Sequence, residues 1–474
     1  VGDFAFLIAI FMIFEAVGSL NFDVILANLD LFTDDALFWI AFLMFIGATG
    51  KSAQIPLFVW LPDAMAGPTS VSALIHAATM VTSGIYLITR LSPMYVMSPE
   101  ILMIVAAIGA LTAIVAATIA ITQNDIKGVL AYSTVSQLGF MFLALGSGAY
   151  TAAIFHVATH AFFKACLFLG SGSVIHTMEH VEHELHEKGK HVHFDPQDIR
   201  FMGGLRKYMP HTYKTFLIAT IAIAGIPPLA GFFSKDEIVM HTFNMGFGEF
   251  AGAMYFILWT VATITAFMTA FYMFRLTLTT FHGSFRLPQK VEGAEDAVSY
   301  LHESPPTMTF PLWALAVLSI VGGFIGIPNF ISKTFGGDGH INWLHDWLSP
   351  VASDIPLTLS IPAEWALMIF AILVAVGGVF LAFRMYGEGQ QEESDAAIER
   401  RFGGLYQVWK EKYSFDEVYE GVIVRPIVKF SDKVLAAFDM KVVDGIVNAI
   451  GGTVRLAGSL LRYIQTGIAT SYAQ

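Results

Sequence analysis

The sequence predicts an all-α membrane protein: an inverted-repeat helix bundle with two broken helices, followed by a long C-terminal amphipathic helix. Of its 474 residues, 55% are hydrophobic and 14% are charged, whereas soluble domains contain roughly 25% charged residues. The mean hydropathy is +0.63. Two of the apolar runs are interrupted by glycine and proline beside a lysine, and the chain beyond residue 415 shows helical periodicity with charges between its apolar positions.

Ten apolar runs approach the ~20 residues that a helix needs to cross a bilayer. We expect all of them to be helical, because backbone polar groups in lipid must be satisfied within the segment. The runs lie at 4–20, 36–62, 71–91, 99–122, 126–146, 151–175, 213–243, 250–281, 308–327 and 361–386.

Lysine and arginine between the runs predict the orientation. The segments rich in lysine and arginine follow even-numbered runs, whereas segments after odd-numbered runs contain few positive residues. The segment 21–35 contains four aspartates and no positive residue. The basic set therefore faces the cytoplasm or its equivalent. It comprises Lys188, Lys190, Arg200, Arg206, Lys207, Arg286, Lys290 and the tail after Arg384.

The composition excludes several classes of function. The single cysteine, Cys166, rules out a disulfide framework and a cysteine-held iron–sulfur cluster. The sequence has no glycine-rich nucleotide loop, and its net charge of −12 does not favour a nucleic-acid partner. Any electron chemistry must therefore lie in other subunits.

The second and seventh runs are interrupted in the same way. Glycine and proline break the helical hydrogen-bond ladder and free carbonyl groups near mid-membrane. The two runs lie five spans apart and so cross in opposite directions, which is the pattern of an inverted-repeat transporter. Ordinary proline kinks with snorkelling lysines are the alternative. The residues concerned are Gly47, Gly50, Lys51, Pro56 and Pro62, then Gly225, Pro227, Pro228, Gly231, Lys235, Asp236 and Glu237.

The sixth run carries three ionisable residues on one helical face, His156, His160 and Lys164, each four positions apart. Ionisable groups in a membrane helix are costly unless they face protein or water, and they mark ion or proton paths. A lysine whose carboxylate partner approaches or withdraws is a switchable proton holder, and histidine exchanges protons near neutral pH. These residues therefore predict a proton relay.

Further polar groups lie in the neighbouring runs. His76 is in the third run, and Lys127 opens the fifth run, ahead of a series of hydroxyl and amide side chains. Asp3 and Glu15 in the first run could pair with the lysines. The alternatives are a satisfied buried histidine for His76 and a helix-end anchor for Lys127.

A histidine-rich segment follows the sixth run at 176–193. We interpret it as a polar linker helix, because its histidines alternate with glutamates in a solvated stretch; a zinc or nickel site is the alternative. The HVATH sequence lacks the glutamate of a metalloprotease motif, since position 157 is Val157. The histidines are His176, His180, His183, His186, His191 and His193.

The C-terminal region changes character. Residues 388–400 form an acidic linker, and an amphipathic helix begins at Phe415. If about 50 residues are helical, its length is at most ~75 Å. It is too polar to span a bilayer, so we expect it to lie along the membrane surface or along neighbouring subunits, with a kink or break at Pro426.

The motifs resemble the antiporter-like subunit L of respiratory complex I, whose mitochondrial counterpart is subunit 5. The resemblance covers nearly the whole chain and rests on 50–88, 125–146, 153–176, 198–210 and 231–238. It implies a proton-translocating subunit of NADH:quinone oxidoreductase in the bacterial inner membrane, with a lateral helix beside the antiporter-like subunits M and N. FMN, iron–sulfur clusters and quinone would belong to partner subunits, and this chain would bind no cofactor or metal.

The resemblance also implies roles for individual residues. Lys51 matches the family's pumping lysine, Lys164 its connecting lysine, and Lys235 the lysine of the second broken helix. Subunit M carries a glutamate where this chain has Lys235. The family's key glutamate would precede Val1, and its final anchoring span would follow Gln474, so we expect both ends of the native protein to be missing. The other matched residues are Asp3, His76, Lys127, His156, His160 and Asp236.

We expect four regions. Residues 1–92 would complete a first antiporter half, 93–282 would form a second, 283–390 would add peripheral spans, and 391–474 would form the lateral helix. Two alternatives to the complex I subunit remain. One is the large subunit of an Mrp-type Na⁺/H⁺ antiporter, which shares these motifs. The other is a structural brace whose main contribution is the lateral helix.

Overall fold

Helices make up the regular structure of this chain in its computed structural model, which describes residues 1–190, 193–287, 294–337, 341–387, 391–465 and 467–473. These described residues contain no β-strand. The all-α membrane fold is therefore confirmed. His191, Lys290 and Gln474, named above, lie outside the described residues.

The helices up to Lys410 include several pairs that lie on either side of a break. In chain order they are α1 (Gly2–Val17), α2 (Phe22–Ala27), α3 (Asp34–Lys51), α4 (Trp60–Asp63), α5 (Thr69–Ala77), α6 (Ser83–Arg90), α7 (Ser92–Val96), α8 (Pro99–Thr122), α9 (Ile126–Gly146), α10 (Tyr150–Glu187), α11 (Pro210–Ala224), α12 (Ala230–Met245), α13 (Gly252–Phe281), α14 (Pro306–Val321), α15 (Asn329–Thr334), α16 (Trp343–Leu348), α17 (Ile361–Tyr386), α18 (Gln391–Phe402) and α19 (Gly404–Lys410).

Within the described residues, seven helical segments are long and apolar enough to cross a membrane. They coincide with seven of the ten predicted runs. The other three are α1 and the two interrupted runs, in which no single helix combines that length, hydropathy and low charge. Both predicted breaks are present: α3 is separated from α4, and α11 from α12.

Two boundaries differ from the prediction. The run at 71–91 is divided, because α5 ends at Ala77, a 3₁₀ turn covers Met80–Thr82, and α6 begins at Ser83. The sixth run is longer than predicted, because α10 has 38 residues, or about 57 Å at 1.5 Å per residue. The histidine-rich segment up to Glu187 is therefore the end of α10 and not a separate linker.

The backbones of α8 and α9 approach closely at glycines. A Cβ atom on Gly139 would lie 2.6 Å from both the nitrogen of Ala113 and the carbonyl oxygen of Gly109. Small residues permit this approach, as in other membrane helix pairs. Nearly all of α9 is buried, so its polar side chains face protein and not lipid.

The chain divides into two compact units, Val1–Lys410 and Glu411–Gln474. The second unit contains the long C-terminal helix that the sequence predicts, without a break at Pro426, where the backbone stays helical. A π-helical turn at Glu420–Val424 comes just before this proline, whose missing N–H prevents the regular α-helical pattern. The helical stretches are α20 (Phe415–Tyr419), α21 (Arg425–Phe430), α22 (Ala436–Phe438) and α23 (Asp444–Ile464), joined by π turns.

Candidate functional site

Lys164 lies inside the protein, on α10, and is fully buried. Its Nζ donates hydrogen bonds to Ser133 Oγ at 2.8 Å and to the carbonyl oxygen of Leu130 at 3.3 Å. The hydroxyl of Tyr272 donates to the same Ser133 Oγ at 3.1 Å. Polar groups of α9 and α13 thus surround the Nζ atom of this lysine.

His156 connects α9 to α12. Its Nε2 lies 3.1 Å from Gln137 Oε1, and its Nδ1 lies 2.9 Å from Ser234 Oγ. Ser234 Oγ is also 2.8 Å from Thr159 Oγ1. Since both ring nitrogens have polar partners on different helices, a proton taken at one nitrogen can be released at the other.

His160 and His76 lie at the break between α5 and α6. His160 Nδ1 is 3.2 Å from the carbonyl oxygen of Ala77, the last residue of α5, and the His76 ring centroid is 4.9 Å from that of Phe168. Among the described residues, neither ring nitrogen of His76 nor His160 Nε2 has a hydrogen-bond partner. Buried polar atoms of this kind are usually satisfied by ordered water, so this region suits a water-bridged proton path.

The hydrogen-bond acceptor of Lys235 is a backbone carbonyl group at the break between α11 and α12. Pro227 lies four residues after Ile223 and has no N–H, so it leaves the carbonyl oxygen of Ile223 without its helical donor. Lys235 Nζ donates to that oxygen at 2.9 Å and lies 5.1 Å from the ring centroid of Phe140. The lysine is 5% exposed. The break therefore creates the acceptor that stabilises a buried ammonium group.

Asp236 and Glu237 continue the polar path beyond Lys235. Asp236 Oδ2 and Glu237 Oε2 are buried and have no hydrogen-bond partner among the described residues. A cavity of about 480 Å³ follows, lined by Glu237, His241, Asp354 and His345 among others. His345 Nε2 lies 3.6 Å from Asp354 Oδ2. Titratable groups therefore extend from the buried lysine to the loop that precedes α17.

The sequence alone does not predict this cavity. The spacing of four between Glu237 and His241, on the helix that carries Lys235, is a signal that points to these two residues. Asp354 and His345 come from a segment more than a hundred residues further along the chain, and no local pattern predicts that they meet α12.

Lys51 ends α3 at the first break and is exposed. It lines a cavity of about 320 Å³ that Asp3 also lines, whereas Glu15 is exposed. At the break, the carbonyl oxygen of Gly50 accepts a hydrogen bond from Trp60 Nε1 at 2.9 Å. In this chain Lys51 and Asp3 thus face a cavity of their own and not the buried groups around Lys164.

Lys127 is buried at the first turn of α9, near one end of the path. Its Nζ donates to the carbonyl oxygen of Gly67 at 3.0 Å. Asp125 caps α9, since its Oδ1 accepts from the backbone N–H groups of Lys127 at 2.7 Å and Gly128 at 3.0 Å. Burial raises the pKa of Asp125.

The histidine-rich end of α10 offers one possible metal-ligand group within the described residues. Ligand atoms of His183, Glu184 and Glu187 lie within 4.8 Å of one another. His183 and Glu187 are exposed, with side chains 69% and 64% accessible. His–Glu pairs four residues apart are expected on any solvated helix of this composition, so the polar-helix interpretation accounts for them.

The structure thus sorts the predicted residues into three places. The buried path holds His76, His156, His160, Lys164, Lys235 and Asp236. Lys127 lies at one end of it, one turn of α9 from the carbonyl group that Lys164 contacts. Lys51 and Asp3 lie at the separate cavity.

Two family profiles match the chain in succession. The profile described as the membrane-spanning region of NADH:quinone oxidoreductases and Mrp antiporters matches residues 1–260. The profile described as the C-terminal membrane-spanning region of an NADH dehydrogenase component of complex I matches residues 262–420.

Curated relatives agree with these profiles. The chain is 44% identical over 497 residues to NAD(P)H-quinone oxidoreductase chain 5 of Picosynechococcus sp., covering 100% of this chain and 70% of that protein. It is 39% identical over 481 residues to the chloroplastic subunit 5 of Mesostigma viride, covering 100% of this chain and 68% of that protein.

A solved structure shares the fold. The Mrp complex from Dietzia sp. DQ12-45-1b aligns with a TM-score of 0.66 and 25% identity over 98% of this chain, which spans only 45% of the matched chain. The oxidoreductase subunits are closer in sequence than this antiporter, so the complex I alternative is favoured over the Mrp alternative. The chain belongs to the family of subunit 5 of NAD(P)H-quinone oxidoreductase, the antiporter-like membrane subunit of complex I.

Proposed function

We propose that this chain translocates protons within the membrane arm of an NAD(P)H:quinone oxidoreductase, while electron transfer takes place in other subunits. The observation that carries the proposal is the set of buried polar contacts across α9, α10, α11 and α12. These contacts are Lys164 to Ser133, His156 to Gln137, His156 to Ser234, and Lys235 to the carbonyl oxygen of Ile223.

The protonation states of two buried lysines, Lys164 and Lys235, are coupled in this proposal. Lys164 and Lys235 lie within electrostatic range of each other, and like charges in a poorly screened interior disfavour one another. A proton that arrives at Lys164 therefore promotes release from Lys235. His156, in contact with Ser234 one residue before Lys235, is positioned to carry the proton between the two lysines.

Release takes place beyond Lys235, with Asp236 as its partner. The cavity of about 480 Å³ is lined by Glu237, the residue after Asp236, and by His241, one turn further along α12. It lies at the end of α12 that, by the distribution of lysine and arginine, faces away from the cytoplasm. Waters and carboxylates in such a cavity provide a route to the outer surface.

Lys51 and Asp3 form a proton-holding site separate from the buried path. Both side chains line one cavity of about 320 Å³. An ammonium and a carboxylate that share a small water-accessible space can pair or separate as the space changes. Lys51 is proposed as the primary proton holder, with His76, His156, His160 and Lys164 as connectors.

Partner subunits complete the proposal. FMN, iron–sulfur clusters and quinone are assigned to other subunits, and the membrane is proposed to be the bacterial inner membrane. The C-terminal helix is proposed to run beside the antiporter-like subunits M and N. Exposed apolar residues recur along α23 at Ile446, Ile450, Val454 and Leu461, a spacing that places them on one face, and a partner would cover that face.

The central test is Lys164→Ala in the intact complex, reconstituted into vesicles. We expect proton uptake per NAD(P)H oxidised to fall, because the connecting proton holder is removed, and Lys51→Ala is expected to act in the same direction. Lys214→Ala, at an exposed lysine of α11, is the matched control and should pump normally. Full pumping by an assembled Lys164→Ala complex would contradict the proposal.

A further inference from the structure

A polar cavity of about 630 Å³ lies between the ends of α5, α9, α10 and α14. Its lining includes the buried Lys127 together with Thr69, His176, Glu179 and Gln197. His176 and Glu179 are exposed, so the cavity joins the protein surface to a buried lysine. The distribution of lysine and arginine places this end of α10 on the cytoplasmic side.

Lys127 connects this cavity to the buried path. It lies one helical turn before Leu130, whose carbonyl oxygen accepts from Lys164 Nζ at 3.3 Å. His76 is within electrostatic range of both lysines. Lys127 therefore lies at the cavity and one turn of α9 from the carbonyl group that contacts Lys164.

We propose that Glu179 and His176 collect protons from the cytoplasm and deliver them through this cavity to Lys127. The inference rests on the proposed function and names the uptake route for the same site. It also gives a role to the first part of the histidine-rich segment, which extends α10 beyond the membrane as a surface of closely spaced imidazole and carboxylate groups.

The supply of protons explains why such groups are needed. At mildly alkaline pH, a proton concentration of about 10 nM and a diffusion limit of about 10⁹–10¹⁰ M⁻¹s⁻¹ give only about 10–100 encounters per second at one buried group. Typical enzyme turnover numbers extend up to about 10³ s⁻¹, above this encounter rate. Exposed carboxylates around a cavity focus cations and raise encounter rates by about 10–10³-fold.

The charged groups around Lys127 and His176 agree with a role in proton uptake. The carboxylates of Asp125 and Glu179 both interact electrostatically with Lys127, and Asp195 lies near Asp125. On the other side, His302 has its ring centroid 6.4 Å from that of His176 and 4.6 Å from that of His180. Carboxylates therefore lie around the lysine, and imidazole groups cluster around His176.

The first experiment tests whether water reaches the cavity in the assembled complex. Thr69→Cys places a thiol in its wall, and the wild-type chain gives the background, since its single cysteine, Cys166, is fully buried. A water-soluble thiol reagent added from the cytoplasmic side should label this subunit at position 69, as read by mass spectrometry. Thr265→Cys, a buried site on α13, should stay unlabelled. Absence of labelling at position 69 would overturn the proposal.

The second experiment measures uptake in the reconstituted complex with the double variant Glu179→Gln/His176→Ala. We expect its proton translocation to fall by about ten-fold at mildly alkaline pH and to approach the wild-type rate at mildly acidic pH, where direct encounter suffices. Glu179→Asp should restore the rate. The matched control is Glu187→Gln/His183→Ala, on the same helix but outside the cavity lining, and it should behave as wild type.

The outcomes separate this inference from the proposed function. If Lys164→Ala abolishes pumping but the Glu179/His176 variant matches its control at every pH, only the uptake route is wrong. If Lys164→Ala pumps normally, the proposed function fails whatever Glu179 does. Since Glu179 and His176 are exposed, their replacement is expected to leave assembly and electron transfer to an artificial acceptor unchanged.

Discussion

Replacing Ser133 with alanine removes the hydroxyl group that holds the ammonium group of Lys164. Ser133 Oγ accepts from Lys164 Nζ at 2.8 Å, and the remaining contact, to the carbonyl oxygen of Leu130, is longer at 3.3 Å. A hydrogen bond to a charged group contributes about 1.5–3 kcal/mol. If that stabilisation is lost when Lys164 carries the proton, the step slows by about 10- to 100-fold at 1.36 kcal/mol per factor of ten.

The assay is proton translocation by the reconstituted Ser133→Ala complex, followed with a pH-sensitive dye while NAD(P)H oxidation is measured in parallel. We expect the translocation rate to fall at least about ten-fold. Ser171→Ala is the control, because Ser171 is equally buried but its hydroxyl donates within its own helix, to the carbonyl oxygen of Phe168 at 2.7 Å. If both variants pump at the same rate in assembled complexes, Ser133 does not hold a proton-carrying lysine, and the assignment of Lys164 is refuted.

Two further predictions concern stability. Gly139→Ala would force a Cβ atom to 2.6 Å from the backbone of α8. We expect the free energy of unfolding to fall by about 1–3 kcal/mol, seen as a lower Tm of the subunit in the purified complex. Gly451→Ala, in open space, should not lower the Tm. Asp395→Asn would leave the fully buried Arg275 without its ion pair, which has a nitrogen–oxygen distance of 3.1 Å, and should cost about 3–5 kcal/mol. Glu393→Gln on the same helix is the control, and equal Tm values for the two variants would contradict the prediction.

Much of the buried path was predictable, because the residues that form it lie close together in the sequence or follow a helical spacing. The spacing of four in α10 places His156, His160 and Lys164 on one face, and the glycines and prolines around Lys235 predict the break that holds it. The predicted series of polar residues on α9 contains Ser133, which the structure shows in contact with Lys164.

Other features depend on packing between distant segments and were not predictable. The break after Ala77 has neither glycine nor proline at its start; the carbonyl oxygen of Ala77 is instead engaged by His160 from α10. The continuation of α10 to Glu187 was missed because an abrupt change from apolar to polar residues marks the end of a membrane span and not the end of a helix. The exposure of Lys51 was also not predictable, because an apolar run indicates depth in the membrane but not which side of the helix is covered.

The acceptor of Lys235 is a main-chain oxygen, and this has a consequence for genetics. Side-chain mutagenesis at Ile223 leaves that oxygen in place, so a conventional alanine scan would pass over the group that anchors the lysine. The position that governs it is Pro227, which withholds a donor and makes no polar side-chain contact itself. Variation at this proline should therefore alter ion movement in a protein whose entire set of charged residues is intact.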